Sequence, residues 1–125
     1  MADKYNLGTV GGGMIIKELF SGSVGSLTGV NNAKITLNDD FTNYKFLIFD
    51  FHCGLNGGTR YYSRVISVQQ IINLFNDADN STTISFCWGY GNTTDYFDIR
   101  HQYSTTKVLN TNSNSTQCIR IVGIN

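Results

Sequence analysis

The sequence of 125 residues contains no proline and no long apolar run. Proline lacks a backbone N–H and is largely kept out of sheet interiors, so its absence is typical of a chain built mostly of paired strands. No segment approaches the roughly 20 apolar residues that cross a bilayer. The N-terminal segment MADKYNLGTVGGG also lacks the apolar core of a signal peptide. These absences predict a soluble chain without membrane insertion and without a secretory signal.

Charge is also scarce, because only 14% of residues are charged, and nine basic residues balance nine acidic ones. Nucleic-acid binding requires clustered Lys and Arg to meet the phosphates, and here the basic residues are scattered. The sequence therefore predicts no nucleic-acid partner. It also predicts that Asn, Ser, Thr, Gln and Tyr supply most of the polar surface.

The sequence has few groups that could bind a metal ion or cofactor. The three cysteines are odd in number and far apart in sequence, which predicts free thiols rather than disulfides or a paired metal motif. A zinc site that used His52 and Cys53 is disfavoured because neighbouring residues of a strand point to opposite sides. Asp77, Asp79 and Ser81 resemble the start of a calcium loop, but Thr82 stands where that loop needs glycine. We predict no metal and no cofactor.

Glycines at positions 11–13 suit a flexible joint, so we expect a flexible lead-in over residues 1–13 and one domain over residues 14–125. With 41% hydrophobic and 13% aromatic residues, this length can build a real core.

One stretch, NYKFLIFDFHCGLNGG, carries the clearest structural signal. Read with the period of a strand, Leu47, Phe49 and Phe51 share a wholly apolar face, while the opposite face begins apolar at Phe46 and turns polar at Asp50. Such a strand belongs in the middle of a sheet, with one face against an opposed sheet.

Similar short segments recur at intervals of about ten residues, separated by turn-forming residues. The predicted strands are MIIKELF, NAKITLND, KFLIFDF, TRYYSRVIS, TTISFCWG, DYFDIRHQY, STTKVL and TQCIRIVGIN, and the predicted loops include SGSVGSLTG, LNGG, NDADNS, YGNT and NTNSNS. SVQQIINLFN changes period and begins with a capping-box pattern, which predicts one short helix. The fold class predicted is all-β, an antiparallel, jelly-roll-like sandwich.

Catalysis requires a nucleophile beside a base, paired carboxylates or converging metal ligands. Asp95 and Asp98 are close in sequence, but strand geometry places them on opposite faces, which makes them poor partners for glycoside hydrolysis. The sequence therefore predicts no catalytic residues and no enzymatic activity.

A binding surface is the remaining prediction. Aromatic rings give apolar contact with polar edges at low entropic cost, and neighbouring charged side chains add directed hydrogen bonds. Residues with these properties, including Tyr61 and Tyr62, cluster along two predicted hairpins, and we expect exposed rings on the hairpin between Thr82 and Tyr103. The ligand-binding residues predicted there are Trp88, Tyr90, Asp95, Tyr96, Asp98, Arg100 and Tyr103. Trp88 has a competing role in the core, because it shares a face with Ile84 and Phe86.

The order of these signals resembles a known family. ITLNDDFTNYKFLIFDF, where an acidic turn and a tyrosine lead into an apolar strand, and the ending IRIVGIN resemble the β-rich C-terminal receptor-binding (head) domains of bacteriophage tail fibres and related tail proteins. The resemblance covers most of residues 14–125, although Val122 stands where an aromatic residue is frequent. It transfers no binding residue, because the motifs that carry it are structural strands.

The resemblance implies a non-enzymatic domain, carried as a homotrimer on the tail of the virion and made in the host cytoplasm. Its partner would be a structure on the host cell surface, a glycan or a protein. Two alternatives stay open: a structural tail or baseplate component that contacts other virion proteins, and a domain that acts enzymatically on polysaccharide.

Overall fold

The computed structural model describes residues 6–10, 14–54, 58–90 and 93–125, with the backbone alone at 6–10, 89–90 and 93–94. The elements in chain order are β1 (Asn6–Val10), β2 (Met14–Val24), β3 (Val30–Thr36), a 3₁₀ helix (Phe41–Asn43), β4 (Phe46–Cys53), β5 (Arg60–Ser67), α1 (Val68–Phe75), β6 (Thr83–Tyr90), β7 (Thr93–Arg100), β8 (Val108–Asn114) and β9 (Thr116–Ile124). Strand β1 lies within the predicted flexible lead-in and pairs with β2. The centres of the predicted turns LNGG and YGNT lie outside the described residues.

The strands form two sheets. One has five strands in the order β1-β2-β9-β4-β5, and the other has four in the order β3-β8-β7-β6. Each described strand pair is antiparallel. Side chains from both sheets meet in one hydrophobic core. The predicted antiparallel β-sandwich with one short helix is therefore confirmed.

Strand β4 lies inside the five-stranded sheet, between β9 and β5, as its alternation predicts. Its inner face, which we define as the face toward the other sheet, carries Leu47, Phe49 and Phe51, each with no exposed surface. The Phe51 ring contacts rings of the opposite sheet, with centroids 5.0 Å from Trp88 and 5.1 Å from Phe97. Aromatic packing across the two inner faces is thus the centre of the core.

Helix α1 begins at its predicted cap. The Ser67 hydroxyl accepts a hydrogen bond from the Gln70 N–H at 3.2 Å, which satisfies one of the free donors at the start of the helix. The helix buries Val68, Ile71 and Leu74 in the core.

The outer face of β4 keeps an exposed ring at Phe46, which is 44% exposed. Among the described residues, no helix has the length and apolar character needed to cross a membrane.

Several predicted segment boundaries are wrong. Strand β2 continues through Ser21 to Val24, where a loop was expected, and its pairing with β9 shifts register twice. NTNSNS was predicted as a loop, yet its first five residues belong to β8.

Two polar side chains of β8 form hydrogen bonds that offset part of the cost of their burial. Thr111 Oγ1 donates to the Ala33 carbonyl at 2.9 Å, and Asn110 Nδ2 donates to the Gln102 carbonyl at 2.8 Å. Because these partners come from other elements, local composition could not reveal the strand. In STTKVL, predicted as a strand, only the last two residues are in β8, and a turn bond from Thr105 N–H to the Val108 carbonyl precedes it.

Candidate functional site

The structure divides the predicted ligand-binding residues between two faces of the four-stranded sheet. Trp88 and Asp95 are cross-strand partners on the inner face, where they are 6% and 3% exposed. The expectation that they lie on an exposed surface is wrong, because strand alternation turns both toward the core, and the competing core role of Trp88 is confirmed. Tyr90 ends β6, and its side chain lies outside the described residues.

Tyr96, Asp98 and Arg100 share the outer face of β7 and are half-buried. Burial raises the pKa of Asp98, while a hydrogen bond from Ser85 and the charge of Arg100 oppose that shift. The Arg100 guanidinium is engaged with its surroundings, because Nη1 donates to Asn32 Oδ1 at 2.7 Å and Nη2 to Gln102 Oε1 at 3.0 Å. This part of the predicted site is therefore assembled as a polar network.

Tyr103 follows β7 and has the left-handed backbone angle φ of 64°. Its ring is 66% exposed, and Lys34 Nζ lies 5.1 Å from the ring centroid. It is the most exposed of the predicted aromatic residues whose side chains are described.

A cleft of about 260 Å³ lies on the outer face of the other, five-stranded sheet, at strands β4, β5 and β9. The residues that line it are Asp50, Phe51, Tyr61, Tyr62, Ser63 and Ile119. A bulge in β9 shapes this face, since the register with β4 shifts between the partners of Asp50 and Phe51. Bulges re-aim side chains and recur next to functional sites.

The open side of the cleft has an aromatic platform. The rings of His52 and Tyr61, which are cross-strand partners, stack with centroids 4.8 Å apart and planes 11° apart. Tyr61 is 71% exposed, so the ring face that His52 does not cover is open to a ligand. Stacked rings of this kind offer a flat apolar surface with polar edges.

Directed hydrogen-bonding groups lie beside the platform. Ser63 Oγ donates to Asp50 Oδ1 at 2.6 Å, which orients the carboxylate and leaves it further acceptor capacity. Arg120, the β9 partner of Asp50, donates from Nε to Glu18 Oε2 at 3.0 Å. The cleft therefore combines a ring face, a carboxylate and a hydroxyl, a set that can contact the C–H face of a sugar and accept bonds from its hydroxyls.

The described side chains do not suggest metal chemistry. Within residues 14–54, 58–88 and 95–125, no group of three or more His, Cys, Asp and Glu side chains could hold an ion. In the calcium-like segment, Asp79 Oδ1 accepts from the Ser81 N–H at 2.9 Å, a local turn bond. Burial raises the pKa of Cys53 to about 11, so its thiol stays protonated at neutral pH.

Sequence reasoning missed the cleft as a site, although it noted each of its strands. The available signal was the change from apolar to polar residues on the outer face of β4, at Asp50 and His52. Tyr61 in β5 was the second part of that signal. Their meeting depends on hairpin register, which pairs His52 with Tyr61 and Asp50 with Ser63.

No family model matches this chain, and no curated protein matches it either.

Proposed function

We propose that this chain is a non-enzymatic attachment module, a receptor-binding domain of the phage tail-fibre type, that binds a host cell-surface glycan in the cleft at Tyr61. The observation that carries the proposal is the exposed Tyr61 ring, backed by His52 and next to the paired side chains of Asp50 and Ser63. Aromatic platforms beside carboxylates suit sugars, whose rings have apolar faces and hydroxyl rims.

The fold and composition support this function. A sandwich presents strand faces as rigid platforms, and sites built on strands hold their geometry better than sites on loops. The low and balanced charge suits a ligand that is recognised by stacking and hydrogen bonds rather than by a strong field. The pattern-level resemblance to tail-fibre head domains points to the same role and to a place on the virion tail.

The small number of carboxylates at the cleft favours binding without catalysis. A glycosidase needs two carboxyl groups about 5 to 10 Å apart across the scissile bond. Asp50 is the one carboxylate among the described lining residues, and Glu18 nearby is engaged with Arg120.

A second candidate function is a structural component of the tail. Phe46 and Val65 lie on the outer face of the five-stranded sheet and are 44% and 64% exposed. Exposed apolar residues on one sheet face can be covered by a neighbouring protein. This role would use the same fold but a different part of its surface.

The deciding experiment incubates the purified chain with a panel of bacterial envelopes and with the polysaccharides extracted from them. We expect saturable binding to at least one envelope, and competition by its own polysaccharide. Binding to no envelope, together with capture of the chain by other tail proteins, would favour the structural role instead.

A further inference from the structure

A second group of side chains lies on the face of β5 opposite to Tyr61 and Ser63, and it shares Tyr62 with the lining of the cleft. Strands β5 and β6 are edge strands of their sheets. The inward-pointing residues of β5 here meet Trp88 of β6, and the Tyr62 and Trp88 rings stack with centroids 5.4 Å apart and planes 21° apart. We call this group, Arg60, Tyr62, Arg64, Trp88 and Asp95, the edge cluster.

Arg64 is the exposed member of the edge cluster, and its guanidinium has a defined position. Its central carbon is 5.3 Å from the centroid of the Tyr62 ring and 5.5 Å from that of Trp88, so it lies over the junction of the two rings. Nη1 donates to the Ser63 carbonyl at 3.0 Å. A guanidinium stacked on rings loses little further freedom when it binds a planar anion.

The edge cluster has a net positive charge among its own side chains. It contains two guanidinium groups, those of Arg60 and Arg64, and one carboxylate, Asp95, whose Oδ2 lies 3.9 Å from Arg60 Nη2. The Trp88 Nε1–H is buried and has no acceptor among the described residues. Buried donors are rarely left without a partner, so the cluster suits an added acceptor.

We propose that the edge cluster binds the carboxylate of an acidic sugar, with the Arg64 guanidinium as the main contact. Carboxylates and guanidinium groups are both planar and form two parallel hydrogen bonds. One carboxylate balances the single excess charge of the cluster, whereas a phosphate dianion would exceed it. The inference deepens the proposed function, because it gives the surface glycan an acidic residue. It rests on the proposed function only in taking the ligand to be a sugar.

The single tryptophan of the chain gives a direct readout, because Trp88 lies under Arg64. The full chain would be titrated with galacturonate oligomers while tryptophan emission is followed, with calorimetry as a second measure of binding. We expect a saturable change that weakens as salt increases. Neutral glucose oligomers should give no change.

Variants separate the charge of Arg64 from its shape. Arg64→Gln should weaken galacturonate binding at least tenfold, and Arg64→Lys should weaken it severalfold because the point charge lacks the planar fork. Lys45→Gln removes one charge from an exposed residue elsewhere and should change nothing. Unchanged affinity in Arg64→Gln, or no saturable response to galacturonate, overturns the proposal.

Two further arms complete the test. Inorganic phosphate or glycerol phosphate that binds as tightly as galacturonate would overturn the assignment to a carboxylate. Tyr61→Ala should leave galacturonate binding intact, because Tyr61 is on the other face of β5. If the chain binds galacturonate through Arg64 but attaches to no envelope, the proposed function fails and this inference stands.

Discussion

The imidazole ring of His52 lies flat against the phenol ring of Tyr61, with centroids 4.8 Å apart and planes 11° apart. The two residues are cross-strand partners in β4 and β5, so hairpin register fixes the stack. One face of Tyr61 is thereby covered and held, and the other remains open. In the proposed site, His52 is therefore a positioning residue and Tyr61 the contact.

Removing the backing ring should loosen the platform without removing the contact. We expect His52→Ala to weaken binding to the polysaccharide of the recognised envelope by a few fold, because the Tyr61 ring must then be ordered on binding. His52→Phe keeps a ring in that place and should retain most of the affinity. Calorimetry on the two variants checks this, and equal affinities in His52→Ala and the parent chain would contradict it.

Truncating Phe51, the ring at the centre of the core, should destabilise the fold strongly. Phe51 has no exposed surface and its ring packs on Phe49, Phe86, Trp88 and Phe97. Phe51→Ala should lower the free energy of unfolding by about 3–5 kcal/mol, since it loses apolar burial and leaves a cavity. Urea denaturation measures the change. The matched control is Phe46→Ala in the same strand, which should cost about 1 kcal/mol or less because Phe46 is 44% exposed.

The loop between β2 and β3 depends on one glycine. Gly25 has φ of 118°, and a Cβ there would lie 2.1 Å from the Thr116 carbonyl oxygen. Gly25→Ala should therefore lower the free energy of unfolding by at least about 2 kcal/mol. At Gly29 in the same loop, the nearest atom to an added Cβ is 4.0 Å away. Gly29→Ala should be nearly neutral, and similar midpoints of the two variants in urea would refute this account.

Acid should weaken the turn before β4. Hydrogen bonds from Thr42 and then from Thr106 Oγ1 hold the pKa of Asp40 below its usual value, against the opposing effect of burial. Because the folded pKa is lower than the unfolded one, this stabilisation is present above about pH 4 and is lost as pH falls through the folded pKa. Asp40→Asn should reduce stability at pH 7, and it should make the loss of stability below pH 4 less steep. Thermal melts across pH 2–7 check both effects, and an unaltered pH slope would exclude Asp40 as a source.

Alternation predicted the fold well but the candidate site poorly. Leu47, Phe49 and Phe51 form the inner face because a period of two is visible in the letters themselves. The same rule gave Trp88 a competing role in the core, on one face with Ile84 and Phe86, and its burial confirms that role rather than the binding role.

The features that the sequence did not predict depend on long-range pairing. The cleft needs the β4–β5 register, which places Tyr61 beside His52, and the β9 bulge, which lies about 70 positions further along the chain. Strand β8 was hidden because Asn110 and Thr111 are polar residues, and their partners come from other elements. Neither the register nor the partners can be read from local composition.

The most direct test of attachment through the cleft compares two tyrosine variants of similar exposure, Tyr61→Ala and Tyr103→Ala. Tyr61 is 71% exposed in the cleft, and Tyr103 is 66% exposed in the turn after β7. Affinity for the bound envelope, measured by a binding isotherm, should fall at least about tenfold in Tyr61→Ala and stay unchanged in Tyr103→Ala. Full binding by Tyr61→Ala, or loss in Tyr103→Ala alone, would contradict the account.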